Sequence, residues 1–150
     1  MARNSVAYDE DFFAWTQEQS RLLRAGELSL VDAENVAEEL ESMGRNNRRE
    51  LRSRLVVLLT HFLKLQYQPH RRSRSWIATI STQRNEIELI LDDSPSLRPV
   101  LYETLADAYG RARREAATQT DLSIATFPDD CPYTVDQVMA EDPPRRDQTA

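Results

Sequence analysis

Apolar residues recur along this chain at the three- and four-residue spacing of amphipathic helices. The clearest run is 46–66, which should form a central helix because its apolar positions share one helical face. These positions step by four, three, four and three residues: Leu51, Leu55, Leu58, Phe62 and Leu65. Pro69 follows this run, and a proline keeps the residue before it out of the helical region. The central helix is therefore expected to end before Pro69.

Two shorter helices are predicted on the N-terminal side of the central helix. The first begins with Asp9 as its N-cap and ends at Gly26, because glycine readily adopts the left-handed conformation of a helix end. The second begins at Ser29 or Asp32 and is predicted to stop at Gly44.

A stop at Gly44 would make the second and the central helices antiparallel neighbours. That arrangement would bring two acidic side chains of the second helix, Glu38 and Glu41, close to Arg48 or Arg52 of the central helix. The pattern therefore predicts ion pairs between two helices.

Two long segments and a short one follow Pro69. A serine, Ser73 or Ser75, can cap a fourth helix, and Pro95 and Pro99 are tolerated at the start of a fifth helix, which runs to about Thr118. Thr134 and Gln137 have the spacing of a capping box and predict a short last helix. The apolar residues Phe127 and Tyr133 lie between these two helices, so this segment is expected to pack back onto the central helix as a strap.

These elements predict an all-α fold, a single-domain antiparallel bundle of about five main helices with a short C-terminal helix. The bundle is predicted to span residues 1–140. Residues 141–150 are predicted to be a disordered tail, because the composition there turns polar and proline-rich. Three glycines in 150 residues agree with long helices rather than with the many tight turns of an all-β fold.

Composition favours a cytoplasmic protein without a membrane segment. The single cysteine, Cys131, has no partner for a disulfide within the chain, and the longest apolar run, at 55–59, is far shorter than the ~20 residues that span a bilayer. The net charge is −6, but residues 45–84 hold ten basic residues against one acidic residue. Charge is thus segregated along the chain.

The basic segment contains the candidate binding surface. Seven residues could engage an anion or a partner: Arg45, Arg49, Arg52, Arg71, Arg72, Arg74 and Trp76. The first three share a helical face, and the last four stand just before or within the first turn of the fourth helix, where the helix dipole favours negative charge. Two interpretations stay open: a surface for nucleic acid or another anion, or a structural corner whose arginines bind carbonyls or the acidic helix.

Catalytic and metal chemistry finds less support in the sequence. Glu34, Glu38 and Glu41 could hold a divalent ion, as in a metal-dependent phosphohydrolase, but the second carboxylate or histidine pair that such sites use is missing. His61 has no serine or cysteine nucleophile at helical spacing, and Cys131 has acidic neighbours, which disfavour a thiolate. No metal, cofactor or catalytic residue is predicted.

A series of motifs resembles a known family. In order, they are YDEDFFAWTQEQSRLLRAG, ENVAEELESMGR, RRELRSRLVVLLTHFLKLQYQPHRRSRSW, ILDDSPSLRP and FPDDCPYT. Together they look like the domain-of-unknown-function family 29 of bacteria, and the resemblance runs from about Tyr8 to Met139. It implies an all-helical fold and supplies no catalytic residues.

The sequence therefore favours a small cytoplasmic interaction or regulatory module that acts through a protein partner or as a homo-oligomer and has no catalytic activity. Nucleic-acid or anion binding through the arginines is the alternative. A metal-dependent phosphohydrolase is the third hypothesis.

Overall fold

The structure is a computed structural model that describes residues 6–145. Its α-helices are α1 (Phe12–Ala25), α2 (Ala33–Tyr67), α3 (Arg74–Asp93), α4 (Arg98–Thr120) and α5 (Val135–Ala140). Four short 3-10 helices lie between them, at Leu28–Leu30, Pro69–Arg71, Pro95–Leu97 and Ile124–Thr126. The described residues form no strand, and the predicted all-α class is confirmed.

The described residues form two compact units that divide between Asn46 and Asn47, and α2 contributes to both. The first unit holds α1 and the beginning of α2. The second holds the rest of α2 and all later elements. The prediction of a single domain over residues 1–140 stays a prediction.

In the first unit, α1 is fixed to the start of α2 by two buried side chains. Trp15 donates from its indole Nε1 to the Asp32 carboxylate at 3.2 Å, and the Gln19 side-chain oxygen accepts from the Asp32 amide at 2.7 Å. The N-cap of α1 is Asp11, which accepts from the Ala14 amide at 3.0 Å, so the prediction of Asp9 as cap is wrong. A turn at residues 8–10 precedes the helix and moves its start by two positions.

Gly26 and Gly44 behave differently. Gly26 ends α1 in the left-handed conformation, with φ of 71°, as predicted. Gly44 lies inside α2, so the predicted stop there is wrong and the second and the central helices are one helix of 35 residues. A glycine inside a helix costs only about 1 kcal/mol relative to alanine, and no proline follows Gly44 to interrupt the helix.

The two glycines give a matched test of this difference. Gly44→Ala should raise the free energy of unfolding by about 0.5 to 1 kcal/mol, because Gly44 is helical and an added Cβ would contact nothing within 4 Å. Gly26→Ala should lower it by about 1 to 2 kcal/mol, because alanine is strained in the left-handed region. Urea unfolding of both variants measures this. A loss of stability in the Gly44 variant would contradict the continuous helix.

The second unit is a helical bundle built on the C-terminal part of α2. Four side chains on one face of α2 are fully buried: Leu51, Leu55, Leu58 and Phe62. Two contacts show that α2 and α4 run parallel. Arg52 pairs with Asp107 and Lys64 bonds Gln119, so each α2 residue meets the α4 residue 55 positions further along the chain. Three small residues let α4 approach the core closely: Ala108, Ala112 and Ala116.

The predicted strap is confirmed. The Phe127 ring lies 5.1 Å from the Tyr67 ring, and the Tyr133 ring lies 5.3 Å from the Phe62 ring, both edge to face at the end of α2. Arg113 on α4 holds the strap in place by donating to the Phe127 carbonyl at 3.1 and 3.2 Å. Two aromatic rings and one guanidinium thus attach the strap to the bundle.

The C-terminal end of the second unit is described up to Arg145. The capping box of Thr134 and Gln137 is present at the start of α5. Arg84 of α3 donates to the Val138 carbonyl at 2.8 Å and also to the Glu141 carbonyl. Of the tail predicted to be disordered, residues 141–145 form no helix, and residues 146–150 lie outside the described residues. No helix within residues 6–145 is long and apolar enough to cross a membrane.

Candidate functional site

The predicted ion pairs between two antiparallel helices do not form, because α2 is continuous through Gly44. Arg45 instead pairs with two acids of its own helix, with Glu38 at 3.0 Å and Glu41 at 3.9 Å. Arg45 is therefore neutralised by its own helix rather than by a second one. Such exposed pairs contribute only about 0 to 1 kcal/mol each.

The other two arginines of this group belong to the second unit. Arg52 pairs with Asp107 of α4 at 3.1 Å. Arg49 is exposed, and it forms no ion pair with any residue that the structure describes. It lies one turn before Arg52 on the same face of α2.

The segment with the other arginines connects α2 to α3. Ser73 caps α3 by accepting from the Trp76 amide at 3.3 Å, as predicted. Trp76 is half-buried, and the Lys64 ammonium lies 4.5 Å from the centroid of its ring. The tryptophan thus serves as a packing residue of this corner.

Arg71, Arg72 and Arg74 are exposed, and within residues 6–145 their guanidinium groups make no ion pair and no hydrogen bond. Arg72 and Arg74 border an open depression of about 450 Å³ together with Ile77. The guanidinium groups are therefore not used on carbonyls or acidic side chains of the described chain. Their role in binding stays a prediction.

The predicted arginines of the second unit do not form one surface. Arg52 and Tyr67, the last residue of α2, are fifteen residues apart on one helix, which is roughly 22 Å along its axis. Arg49 and Arg52 therefore lie near one end of this bundle, and Arg71, Arg72 and Arg74 near the other.

A second helix brings two further arginines to Arg52. Arg111 and Arg114 of α4 lie beside Arg52 and Ser53 of α2, and together with Val56 and Glu115 they line a groove of about 270 Å³, here called the α2–α4 groove. The sequence prediction missed both α4 arginines. The available signal was their i, i+3 spacing on the side of α4 away from its three buried alanines.

The first unit has a different surface feature. Three leucines stand exposed around the turn between α1 and α2, here called the apolar turn: Leu23 is 46% exposed, Leu28 67% and Leu30 54%. Four other large apolar side chains of this unit are at least half exposed: Phe12, Phe13, Leu40 and Met43. The three leucines of the apolar turn lie within eight residues, and exposed apolar side chains that lie close together are typical of a binding surface rather than of scattered surface residues.

The family model for the domain of unknown function DUF29 matches residues 7–142. The chain belongs to this family. The resemblance predicted from the sequence motifs is thereby confirmed, and the match includes the apolar turn, the α2–α4 groove and the strap. No curated protein and no solved structure matched the chain.

Two groups of this DUF29 domain that could do chemistry, His61 and Cys131, have pKa shifts that favour their neutral forms. The His61 ring nitrogen Nδ1 bonds the Val57 carbonyl at 2.8 Å, and burial lowers the pKa of the imidazole. Burial raises the pKa of the Cys131 thiol, which points at the Tyr133 carbonyl at 3.4 Å. A neutral, hydrogen-bonded thiol is a weak nucleophile.

The acidic face of α2, which was considered for a metal ion, has other contacts in this DUF29 domain. Glu38 and Glu41 bind Arg45, and the neighbouring Glu39 accepts a hydrogen bond from the Tyr8 hydroxyl. Within the described part of the chain, no three histidine, cysteine or acidic residues are grouped so as to hold a metal ion.

Proposed function

We propose that this protein is a cytoplasmic, non-catalytic interaction module that binds a protein partner through the apolar turn. The observation that carries the proposal is the exposure of Leu23, Leu28 and Leu30, which lie within eight residues at the turn between α1 and α2. A fully exposed leucine that becomes buried against a partner contributes about 1.5 to 3 kcal/mol, and these three are about half exposed, so together they can contribute roughly 2.5 to 5 kcal/mol to binding.

Charge determines the kind of partner. Residues 1–46 hold four basic and ten acidic residues, a balance of −6, whereas residues 47–150 hold fifteen of each. The whole net charge of the chain therefore lies in the unit that carries the apolar turn. A segment with an apolar stripe flanked by lysine or arginine, such as a basic amphipathic helix, is complementary to it.

The same charge balance argues against a homo-oligomer formed through this surface. Two copies of a unit with a balance of −6 would repel one another as they approach, because bringing like charges together costs free energy. A partner of opposite charge is therefore the better proposal of the two.

Selection from a displayed library of helical peptides tests the proposal. We expect enrichment of peptides that carry leucine or phenylalanine at i, i+3, i+4 and i+7 with basic residues beside them. Leu28→Ser with Leu30→Ser should remove this enrichment, because it makes the turn polar, yet leave stability nearly unchanged, since both side chains are exposed.

Leu89→Ser is the matched control, because Leu89 is 58% exposed on α3 in the other unit. This variant should retain the enriched peptides. If nothing is enriched, or if the enriched peptides bind the Leu28 and Leu30 double variant as well as the original protein, the proposal is wrong.

Nucleic-acid binding, the alternative from the sequence, has weaker support. A surface that follows a phosphate backbone needs a continuous basic stripe. In the second unit the predicted arginines lie toward two ends of the bundle, and Asp107 neutralises one of them.

A further inference from the structure

The α2–α4 groove is a cationic site built by two parallel helices. Arg52 and Ser53 come from one wall and Arg111 and Arg114 from the other, with Val56 between them. The lining residues of the groove include three arginines and one acidic residue, Glu115. All of these residues belong to the second unit.

Two of the three guanidinium groups are available to a ligand. Arg52 is engaged with Asp107, whose carboxylate lies 3.1 Å away. Arg111 and Arg114 are exposed, and neither forms an ion pair or a side-chain hydrogen bond with the rest of residues 6–145. The groove thus keeps an uncompensated charge beside an internal ion pair.

The placement of these arginines follows from how α4 packs. Ala108 and Ala112 are fully buried against the core, and Arg111 and Arg114 lie one turn apart on the outer side of the same helix. Side chains at i and i+3 are neighbours on a helix surface, so both guanidinium groups can contact one anion.

The charge and size of the groove define the ligand class. Two unpaired guanidinium forks match the charge and the planar oxygen pairs of a phosphomonoester, which carries about −1.5 to −2 at pH 7. A volume of about 270 Å³ suits a compact group rather than a polymer. The outer face of α4 also carries Glu103 and Asp107 just before Arg111, which interrupts any basic path along the helix.

From these observations we infer that the α2–α4 groove binds the phosphomonoester group of a small phosphorylated molecule. Arg111 and Arg114 hold the phosphoryl oxygens, and the Ser53 hydroxyl is a further donor. Arg52 stays paired with Asp107 and lines the opposite wall of the groove. This site is separate from the apolar turn and does not depend on the function proposed for it.

An NMR titration with phenyl phosphate, with inorganic phosphate and with sodium chloride at matched ionic strength tests the inference. We expect shifts of the backbone amides of Ser53, Arg111 and Arg114, and saturation with phenyl phosphate below roughly 10 mM. Saturation by both phosphates identifies the phosphoryl group as the ligand, and saturation by phenyl phosphate alone shows that the organic part is also bound. Equal shifts with chloride would overturn the inference.

Two charge-matched double variants locate the site. Arg111→Gln with Arg114→Gln should weaken phenyl phosphate binding at least about tenfold, since it removes both unpaired forks. Arg72→Gln with Arg74→Gln removes the same charge from the corner between α2 and α3 and should change binding less than about twofold, because it leaves the groove intact. The reverse pattern would place the site at that corner and overturn the inference.

A single-stranded oligonucleotide is the remaining probe. Binding that is tighter than that of phenyl phosphate, falls steeply with salt and is lost in the Arg111 and Arg114 variant would show a nucleic-acid site instead. That outcome too would overturn the inference. All four arginines are exposed, so the variants should keep the spectrum of the folded protein.

Discussion

Replacing Phe127 by alanine should lower the free energy of unfolding by about 3 to 5 kcal/mol. The Phe127 ring is 1% exposed and lies edge to face against Tyr67, at the point where the strap meets the end of α2. Truncation removes the buried ring and leaves a cavity that the strap cannot fill, because Arg113 holds the Phe127 carbonyl and fixes the backbone there.

Urea unfolding followed by circular dichroism measures this loss. Ile124→Ala is the matched control on the same strap, because Ile124 is 42% exposed, and it should cost less than about 1 kcal/mol. A loss below roughly 1.5 kcal/mol for Phe127→Ala would mean that the strap does not contribute to the core.

Alkaline pH should destabilise the fold through Tyr109 and Tyr133. Burial raises the pKa of both phenols well above 10, and their hydroxyls donate to the Pro128 carbonyl and to the Gln66 side-chain oxygen. In the unfolded chain both titrate near pH 10. Above pH 10 the unfolded state loses these two protons, whereas the folded state keeps them. The free energy of unfolding therefore keeps its full value below pH 10 and falls as pH rises further.

The expected loss by pH 11 is about 1.4 kcal/mol for each of the two tyrosines. Unfolding curves between pH 8 and pH 11 measure it. Lys64 has the opposite effect, because burial lowers its pKa and its contribution to stability therefore rises with pH. The measured slope of stability against pH thus combines several groups. The Tyr109→Phe variant isolates the contribution of Tyr109. Between pH 8 and pH 11 its free energy of unfolding should fall by about 1.4 kcal/mol less than that of the original protein. Parallel curves for the two proteins would contradict the assignment.

Local signals in the sequence predicted most of the second unit correctly. The Ser73 cap, the Thr134 and Gln137 capping box and the end of α2 before Pro69 all depend on chemistry within a few residues. The strap was also predictable, because Phe127 and Tyr133 are too apolar to be left in solvent.

Gly44 shows where such local signals fail. A glycine is compatible both with a helix end and with a helix interior, and only the surroundings decide between them. The apolar positions of α2 continue in phase across Gly44, from Leu40 and Met43 to Leu51, which was the available sign of one helix. Gly26 differs because the chain must reverse there, and its φ of 71° lies in the left-handed region, which favours glycine.

The candidate surfaces were the least predictable part. Arg111 and Arg114 become a site only because α4 runs parallel to α2 and places them beside Arg52. The leucines of the apolar turn resemble core residues in sequence, and only tertiary packing leaves Leu28 and Leu30 in solvent. Sequence periodicity reports that a residue is apolar, and it does not report whether another element covers it.

The apolar turn is proposed to bind a basic amphipathic helix. Titration calorimetry with the most enriched basic peptide tests it most directly, on the original protein, on Leu28→Ser with Leu30→Ser, and on Leu89→Ser. We expect Kd to rise at least about tenfold for the double variant and to change less than about twofold for Leu89→Ser. Equal affinities of all three proteins would contradict it.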